Sequence, residues 1–257
     1  MPWPSFEIVF ESPRKSDYLV VIPAINEGNR LHRLLERIVE LGIQETLDVL
    51  IADGGSTDQS TNTDFLKQRG VRHLLIKTGA GGLGAQLQGA YKFAIQAGYM
   101  GVITIDGNDK DRPETILQMR DQLVAGFDFV QGSRFIPGGR HENTPISRLV
   151  AIRMIHAPLI SLSSGMRWTD TTQGFRAYSR RLLSDGKLNM YREALADYKL
   201  LFYISHRAPK LGFHCVEIPT TRIYPVGEPT PTKIRGLKAQ AKVLESLFRV
   251  CLGQFDS

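Results

Sequence analysis

The chain has 257 residues, of which 42% are hydrophobic and 23% charged, with a formal net charge of +6. That length suits one large α/β domain or one domain with a tail, and the balance excludes a disordered or low-complexity chain. Two cysteines, Cys215 and Cys251, with no CxxC or ligand spacing exclude a disulfide framework or zinc site and make a reducing, cytoplasmic setting the expectation.

The first 17 residues carry acids and two early prolines, without the basic start and apolar run of a signal peptide. No run of about 18 apolar residues occurs, so no membrane-spanning helix is expected. Residues 18–23 form a short apolar run suited to a buried parallel strand. Asn26 then stands at an N-cap position, before Leu31, Leu34, Leu35 and Ile38 at helical spacing. Residues 47–52 predict a second strand, ending in the turn cluster Asp53-Gly54-Gly55-Ser56-Thr57-Asp58. A third strand is predicted at 72–77, followed by Gly79-Ala80-Gly81-Gly82-Leu83-Gly84 and a small-residue helix to about Ala97. Residues 100–105 predict a fourth strand that stops at Asp106, Pro113 and Glu114 open a helix, and 128–132 predict another strand.

Strand and helix thus alternate with short links, the pattern of a mostly parallel sheet with helices on both faces. Ligands of such sheets bind beyond the carboxyl ends of the strands, where Glu27, Asp53 and Asp106 collect. The second half predicts helices near 146–164 and 193–206, a strand near 213–218 and a Pro/Gly/Thr-rich loop at 222–233. A basic amphipathic helix is predicted from Ile234 to Leu252, with Ile234, Leu237, Ala241, Leu244 and Phe248 on one face. Such a helix suits packing on the domain first, and an anionic membrane surface as the alternative.

Oxygen ligands in a tight turn at a strand end, Asp106-Gly107-Asn108-Asp109, can hold Mg²⁺ or Mn²⁺ against a diphosphate, or simply turn the chain. Asp53 is placed for a base or ribose, or for a helix cap. The glycines at 79–84 lack the Gly-Lys-Ser/Thr of a phosphate loop; they let the backbone pass close to a ligand.

The ordered set resembles family-2 glycosyltransferases, and within them the dolichyl- and polyprenyl-phosphate sugar transferases. The matching segments are Val20-Val21-Ile22-Pro23-Ala24-Ile25-Asn26-Glu27, Asp53 to Asp58, Gly82-Leu83-Gly84, Ile105-Asp106-Gly107-Asn108, Arg112-Pro113-Glu114, Gly132-Ser133-Arg134-Phe135 and Asp170 to Tyr178. The resemblance implies a Rossmann-like GT-A fold, an inverting mechanism and a divalent metal. It implies a catalytic domain over 1–230 and a C-terminal helical tail over 231–257. Pro23, Ala24, Glu27, Asp53, Gly82 and Gly84 would meet a GDP- or UDP-sugar. Asp106 would be the first acid of the family's Asp-x-Asp, but Asn108 replaces the second; Asp109 is a substitute. Lys110 stands where the subgroup often has Gln and brings a cation to the diphosphate. Arg134, Arg148, Arg176, Arg222 and Lys233 would hold donor or acceptor phosphate.

A lipid phosphate needs no general base, whereas a sugar hydroxyl does, and Asp197 is the candidate for that role. The expected reaction is therefore sugar transfer to a polyprenyl phosphate, with Asp106, Arg134 and Arg176 at its centre. Transfer to a glycan hydroxyl through Asp197, and a degenerate nucleotide-sugar binder, are the alternatives. Peripheral contact with the inner membrane face is expected, and nucleic acid is not an expected partner.

Overall fold

A computed structural model describes residues 4–226 and 236–256. Its strands are β1 (Phe6–Glu11), β2 (Tyr18–Ala24), β3 (Asp48–Asp53), β4 (His73–Lys77), β5 (Gly101–Thr104), β6 (Phe129–Ser133), β7 (Arg140–Glu142), β8 (Arg176–Ser179), β9 (Cys215–Pro219) and β10 (Thr221–Ile223). The helices are α1 (Asn29–Glu40), α2 (Ile43–Thr46), α3 (Thr63–Gln68), α4 (Leu83–Gln96), α5 (Ile116–Val124), α6 (Ile146–Ala151), α7 (Ala157–Ser164), α8 (Arg180–Leu183), α9 (Lys199–Lys210) and α10 (Gly236–Cys251).

Eight strands form one sheet in the order β1-β4-β3-β2-β5-β8-β6-β9. β4, β3, β2 and β5 run parallel, as the alternation of strand and helix predicts. β2 and β3 are apolar on both faces because both faces are covered. Leu19 and Val21 enter one core layer while Val20 and Ile22 enter the other, the two-residue period of a strand. Leu31, Leu34, Leu35 and Ile38 bury the inner stripe of α1.

Several features depart from expectation. β1 caps one sheet edge antiparallel to β4, and β8 inserts antiparallel between β5 and β6. The helix predicted at 193–206 is a 3₁₀ turn at Glu193–Leu195 followed by α9. Within the predicted 222–233 loop, Arg222 and Ile223 belong to β10, which pairs in parallel with β7. Finally, α10 buries Leu247 and Val250 in the core shared with α7 and α9, while Ala241 and Phe248 are exposed. Lys233 and Ile234 lie outside the described residues.

α6 and α7 are joined by a π-helical segment, Ile152–His156, into one continuous helix, Ile146–Ser164. A mean hydropathy of 1.3 over an 18-residue window of its 19 residues gives it the length and composition of a membrane span, contrary to the sequence expectation. Arg148, Arg153 and the serines at 161, 163 and 164 break its apolar run, so counting consecutive residues misses it. Ile152, Ala157 and Ile160 are buried against the protein. On the outer side Ile146, Val150, Met154 and Leu162 stand 78%, 53%, 72% and 85% exposed, a stripe at multiples of four residues.

Candidate active site

The carboxyl ends of β2, β3, β5 and β6 open into a cavity of about 950 Å³ lined by Pro23, Ala24, Glu27, Gly54, Asp106, Gly107 and Arg134, among others. Its position follows from the parallel strands, whose ends all point to one edge. Gln86 of α4 ties the floor together, donating to the carbonyls of Ala24 (2.9 Å) and Ala52. Glu27 lines the cavity and pairs with Arg30 at 3.1 Å.

Asp53 is bonded within its own turn and does not border this cavity. Its Oδ1 accepts from Ser56 N (2.9 Å), Ser56 Oγ (2.7 Å) and Gly55 N (3.2 Å), and its Oδ2 from Thr61 Oγ1 (3.1 Å). The carboxylate holds the 54–56 turn, and it is the backbone of Gly54 that borders the cavity. The glycine stretch divides in the same way. Gly82 lines the cavity, but its N–H donates to Ala196 O at 2.8 Å. At Gly84 a Cβ would collide with the carbonyl oxygens of Leu195 and Asp197. Gly84 therefore serves packing of α4 on the 195–197 segment and does not border the ligand space.

The turn after β5 holds a network of charges. Asp106 Oδ2 accepts from Arg222 Nη2 (3.2 Å) and Asn108 Nδ2 (3.3 Å). Gly174 packs against Asp106 Oδ1 so closely that any side chain there would collide with it. Asp111 is fully buried; its Oδ1 accepts from Gln173 (2.6 Å) and its Oδ2 from Arg222 (2.5 Å). Burial opposes the charge on Arg222, but Asp111 and Asp106 hold its pKa above the usual guanidinium value. Lys110 is buried with its ammonium 5.2 Å from the Tyr224 ring. Burial, then Arg222, brings its pKa down to about 7 against the pull of Asp106 and Asp111.

Asp106 and Asn108 fit the expected Mg²⁺ or Mn²⁺ poorly. Such ions take about six oxygen ligands, with carboxylates supplying the negative charge. Among the described residues no group of three or more His, Cys, Asp or Glu is arranged to hold a metal. Asn108 lines the cavity, but its amide donates to Asp106 and its Oδ1 accepts from Lys110 N at 3.3 Å. Asp109, the substitute ligand, is bound instead by Arg33 (3.1 Å) and Arg37 of α1.

Of the predicted arginines, three meet at the cavity and one does not. Arg134 makes a bidentate pair with Asp170 (2.6 and 3.0 Å) and also donates to Thr172 Oγ1 (3.2 Å). Asp170 is itself held by Glu217, which accepts from its N–H at 3.0 Å. Arg148 reaches from α6 to the Tyr224 hydroxyl at 3.4 Å, and Arg222 completes the group. Arg176, by contrast, is wholly buried in β8 and borders no part of the cavity. It donates to the carbonyls of Gln173, Leu201 and Thr171 at 2.7–2.8 Å and to Ser205 Oγ at 3.2 Å. These bonds tie β8 to the 171–173 segment and to α9. Asp197 also lies off the cavity; it accepts from Lys199 N at 2.8 Å and pairs with Lys199 Nζ at 3.2 Å.

The opposite wall is apolar, built from Ile152, Ile155, Leu201, Phe202, Val243 and Leu244. Tyr198 and Tyr224 also line the space, and neither was anticipated as a site residue. Their only sequence signal is proximity to predicted site residues: Tyr198 follows Asp197, and Tyr224 follows Arg222 by two residues. Gln173 and Asp170 were within a quoted motif, but their partners Asp111 and Arg134 become visible only when β8 is placed.

Comparison with known proteins places this geometry. Residues 19–186 match the model of Glycosyl transferase family 2. The chain is 30% identical over 206 residues to polyprenol monophosphomannose synthase of Mycolicibacterium smegmatis, covering 79% of this chain and 76% of that protein. It is also 30% identical over 208 residues to undecaprenyl-phosphate mannosyltransferase of Micrococcus luteus, covering 79% and 82%. A crystal structure of glucosyl-3-phosphoglycerate synthase from Mycobacterium tuberculosis with Mn²⁺, UDP and glucosyl-3-phosphoglycerate superposes with a TM-score of 0.59 at 16% identity, covering 92% of this chain and 79% of that one. That likeness establishes the fold, a GT-A-like mixed α/β sheet with helices. The chain is a glycosyltransferase and belongs to glycosyl transferase family 2.

Proposed function

We propose that this enzyme moves a sugar from a nucleotide-sugar donor to a polyprenyl phosphate, working peripherally at a membrane surface. The observation that carries the reading is the juxtaposition of Arg134 and Arg148 with an apolar wall in one cavity. Two guanidinium groups suit a phosphate head, and the wall of Ile152, Ile155, Phe202 and Leu244 suits the start of an isoprenoid chain. The exposed stripe Ile146, Val150, Met154 and Leu162 lies on the outer side of the same helix, where such a chain would leave for lipid. The names of the two relatives above, polyprenol monophosphomannose synthase and undecaprenyl-phosphate mannosyltransferase, support the same acceptor.

In the proposed step an acceptor phosphate oxygen attacks the anomeric carbon of the sugar. The bond from that carbon to the donor diphosphate breaks, and its electron pair leaves with the nucleoside diphosphate. Attack from the face opposite the leaving group inverts the carbon. The phosphate is already an anion, so no base is required, in keeping with the position of Asp197 beside Lys199 and off the cavity. Arg134, fixed by Asp170, orients the acceptor.

The test supplies GDP-mannose and UDP-glucose separately with a short polyprenyl phosphate, with the matching polyprenol, and with a free glycan. Mass spectrometry should find a sugar-phosphate lipid from one donor and only with the phosphorylated acceptor. Transfer to polyprenol or glycan at a comparable rate would overturn the acceptor assignment.

A further inference from the structure

We infer that the positive charge facing the donor diphosphate is supplied by Lys110 and Arg222, and that donor binding does not require a divalent cation. This rests on the nucleotide-sugar reading above. Three observations carry it.

The first is the state of the acids. Asp106 faces the cavity, but its Oδ2 is already taken by Arg222 and by the Asn108 amide. Asp111 is buried with both oxygens bonded, to Gln173 and to Arg222. Asp109 is turned to Arg33 and Arg37. A hard dication would find a single neutralised carboxylate where it needs charge and several oxygens.

The second is the balance at the cavity wall. Lys77, Lys110, Arg134, Arg148 and Arg222 line it, against Glu27 and Asp106. Glu27 is offset by Arg30, Arg134 by Asp170, and Arg222 by Asp106 and Asp111; counted with those partners the wall remains net positive. Such a wall repels a free dication and attracts a diphosphate.

The third is placement. Lys110 follows Asn108 by two residues, in the same turn at the end of β5, and is fixed there by its own N–H on Asn108 Oδ1. Arg222 bridges Asp106 and Asp111 from β10 and so stands over the same turn. A fixed guanidinium and an ammonium in a buried site can offset charge gathering on a leaving diphosphate, as an ion would, without a ligand set.

The test is calorimetric titration of the whole chain with GDP, UDP, CDP and dTDP in turn, once with excess EDTA and once with excess Mn²⁺. Electron paramagnetic resonance counts any bound Mn²⁺ in parallel. One nucleotide should bind with affinity that differs less than about threefold between the two conditions, and Mn²⁺ should stay free without nucleotide. Lys110→Met should weaken that binding by about tenfold or more in both conditions. The pair Asn108→Asp with Lys110→Gln should instead make binding rise with Mn²⁺. Binding by the unmodified chain that appears only with Mn²⁺ overturns the inference and leaves the donor reading intact. Binding of no nucleotide under either condition overturns both.

Discussion

The floor of the cavity and its helical wall are made by different means. The floor is a row of parallel strand ends whose carboxylates are largely committed to the protein itself: Asp53 to its own turn, Asp111 to Gln173 and Arg222. The wall comes from α9, α10 and the helix 146–164, which turns one side to the cavity and leaves Ile146, Met154 and Leu162 in the open. The floor is thus rigid through satisfied polar groups, and the wall is shaped by apolar packing. The contrast teaches that an acid at a strand end is not by itself a ligand for substrate. What matters is whether the fold has already given it a partner.

The largest expected effect separates two arginines that the motifs treat alike. Arg176→Met removes the donors that satisfy three buried carbonyls, and should cost about 3 kcal/mol or more in urea unfolding. Arg148→Ala should leave stability within about 1 kcal/mol, because that side chain borders the cavity, yet lower transfer roughly tenfold to a hundredfold. If Arg176→Met unfolds like the parent chain, the distinction between scaffold and site fails.

Acid should then test sheet and wall separately. Burial brings the pKa of both His73, in β4, and His156, at the cavity, down to about 4. The folded values lie below the ordinary imidazole value of about 6.5, so the unfolded chain takes up protons first. Stability from both groups is full above that value and is lost as pH falls toward 4, by up to roughly 3 kcal/mol each. Urea midpoints at pH 7 and pH 5 should differ for the parent, and less for His73→Gln or His156→Gln. Equal midpoints for the parent at both pH values would contradict the buried, neutral state of both rings.

The smallest effect is expected at Asp197. Asp197→Asn should change transfer by less than about twofold, since the side chain is paired with Lys199 away from the cavity. A loss of several hundredfold would restore a hydroxyl acceptor with Asp197 as base.

Much of the parallel core was legible in the chain. The apolar runs at 18–23 and 47–52 and the heptad-like spacing of Leu31 to Ile38 report burial directly, because periodicity is a local property. β1 and β8 were not legible. Each is antiparallel and owes its existence to a partner strand distant in sequence. The same limit governs the site. Asp106 and Arg134 fall at strand ends and face the cavity. Arg176 lies in an equally suggestive motif, but its fate depends on the carbonyls of Leu201 and Thr171, which no local pattern reveals. Gly84 was read for ligand approach, whereas its close neighbour is the backbone at 195–197. Asn108 was legible as a departure; that its amide would turn toward Asp106 was not.

The π-helical segment Ile152–His156 has a consequence for how the two ends of its helix are geared together. A π-turn accommodates one residue more than an α-turn, so it resets the angular phase of everything that follows. Deleting one residue there would leave α6 and α7 in phase, but closing the segment into a regular α-helix with every residue kept would rotate α7 by about 100° relative to α6. Ile160, now buried, would swing out of the core while Arg148 kept its place at the cavity. The π-turn is therefore the gear tooth that lets one helix present an arginine inward at its start and a seated apolar face at its end.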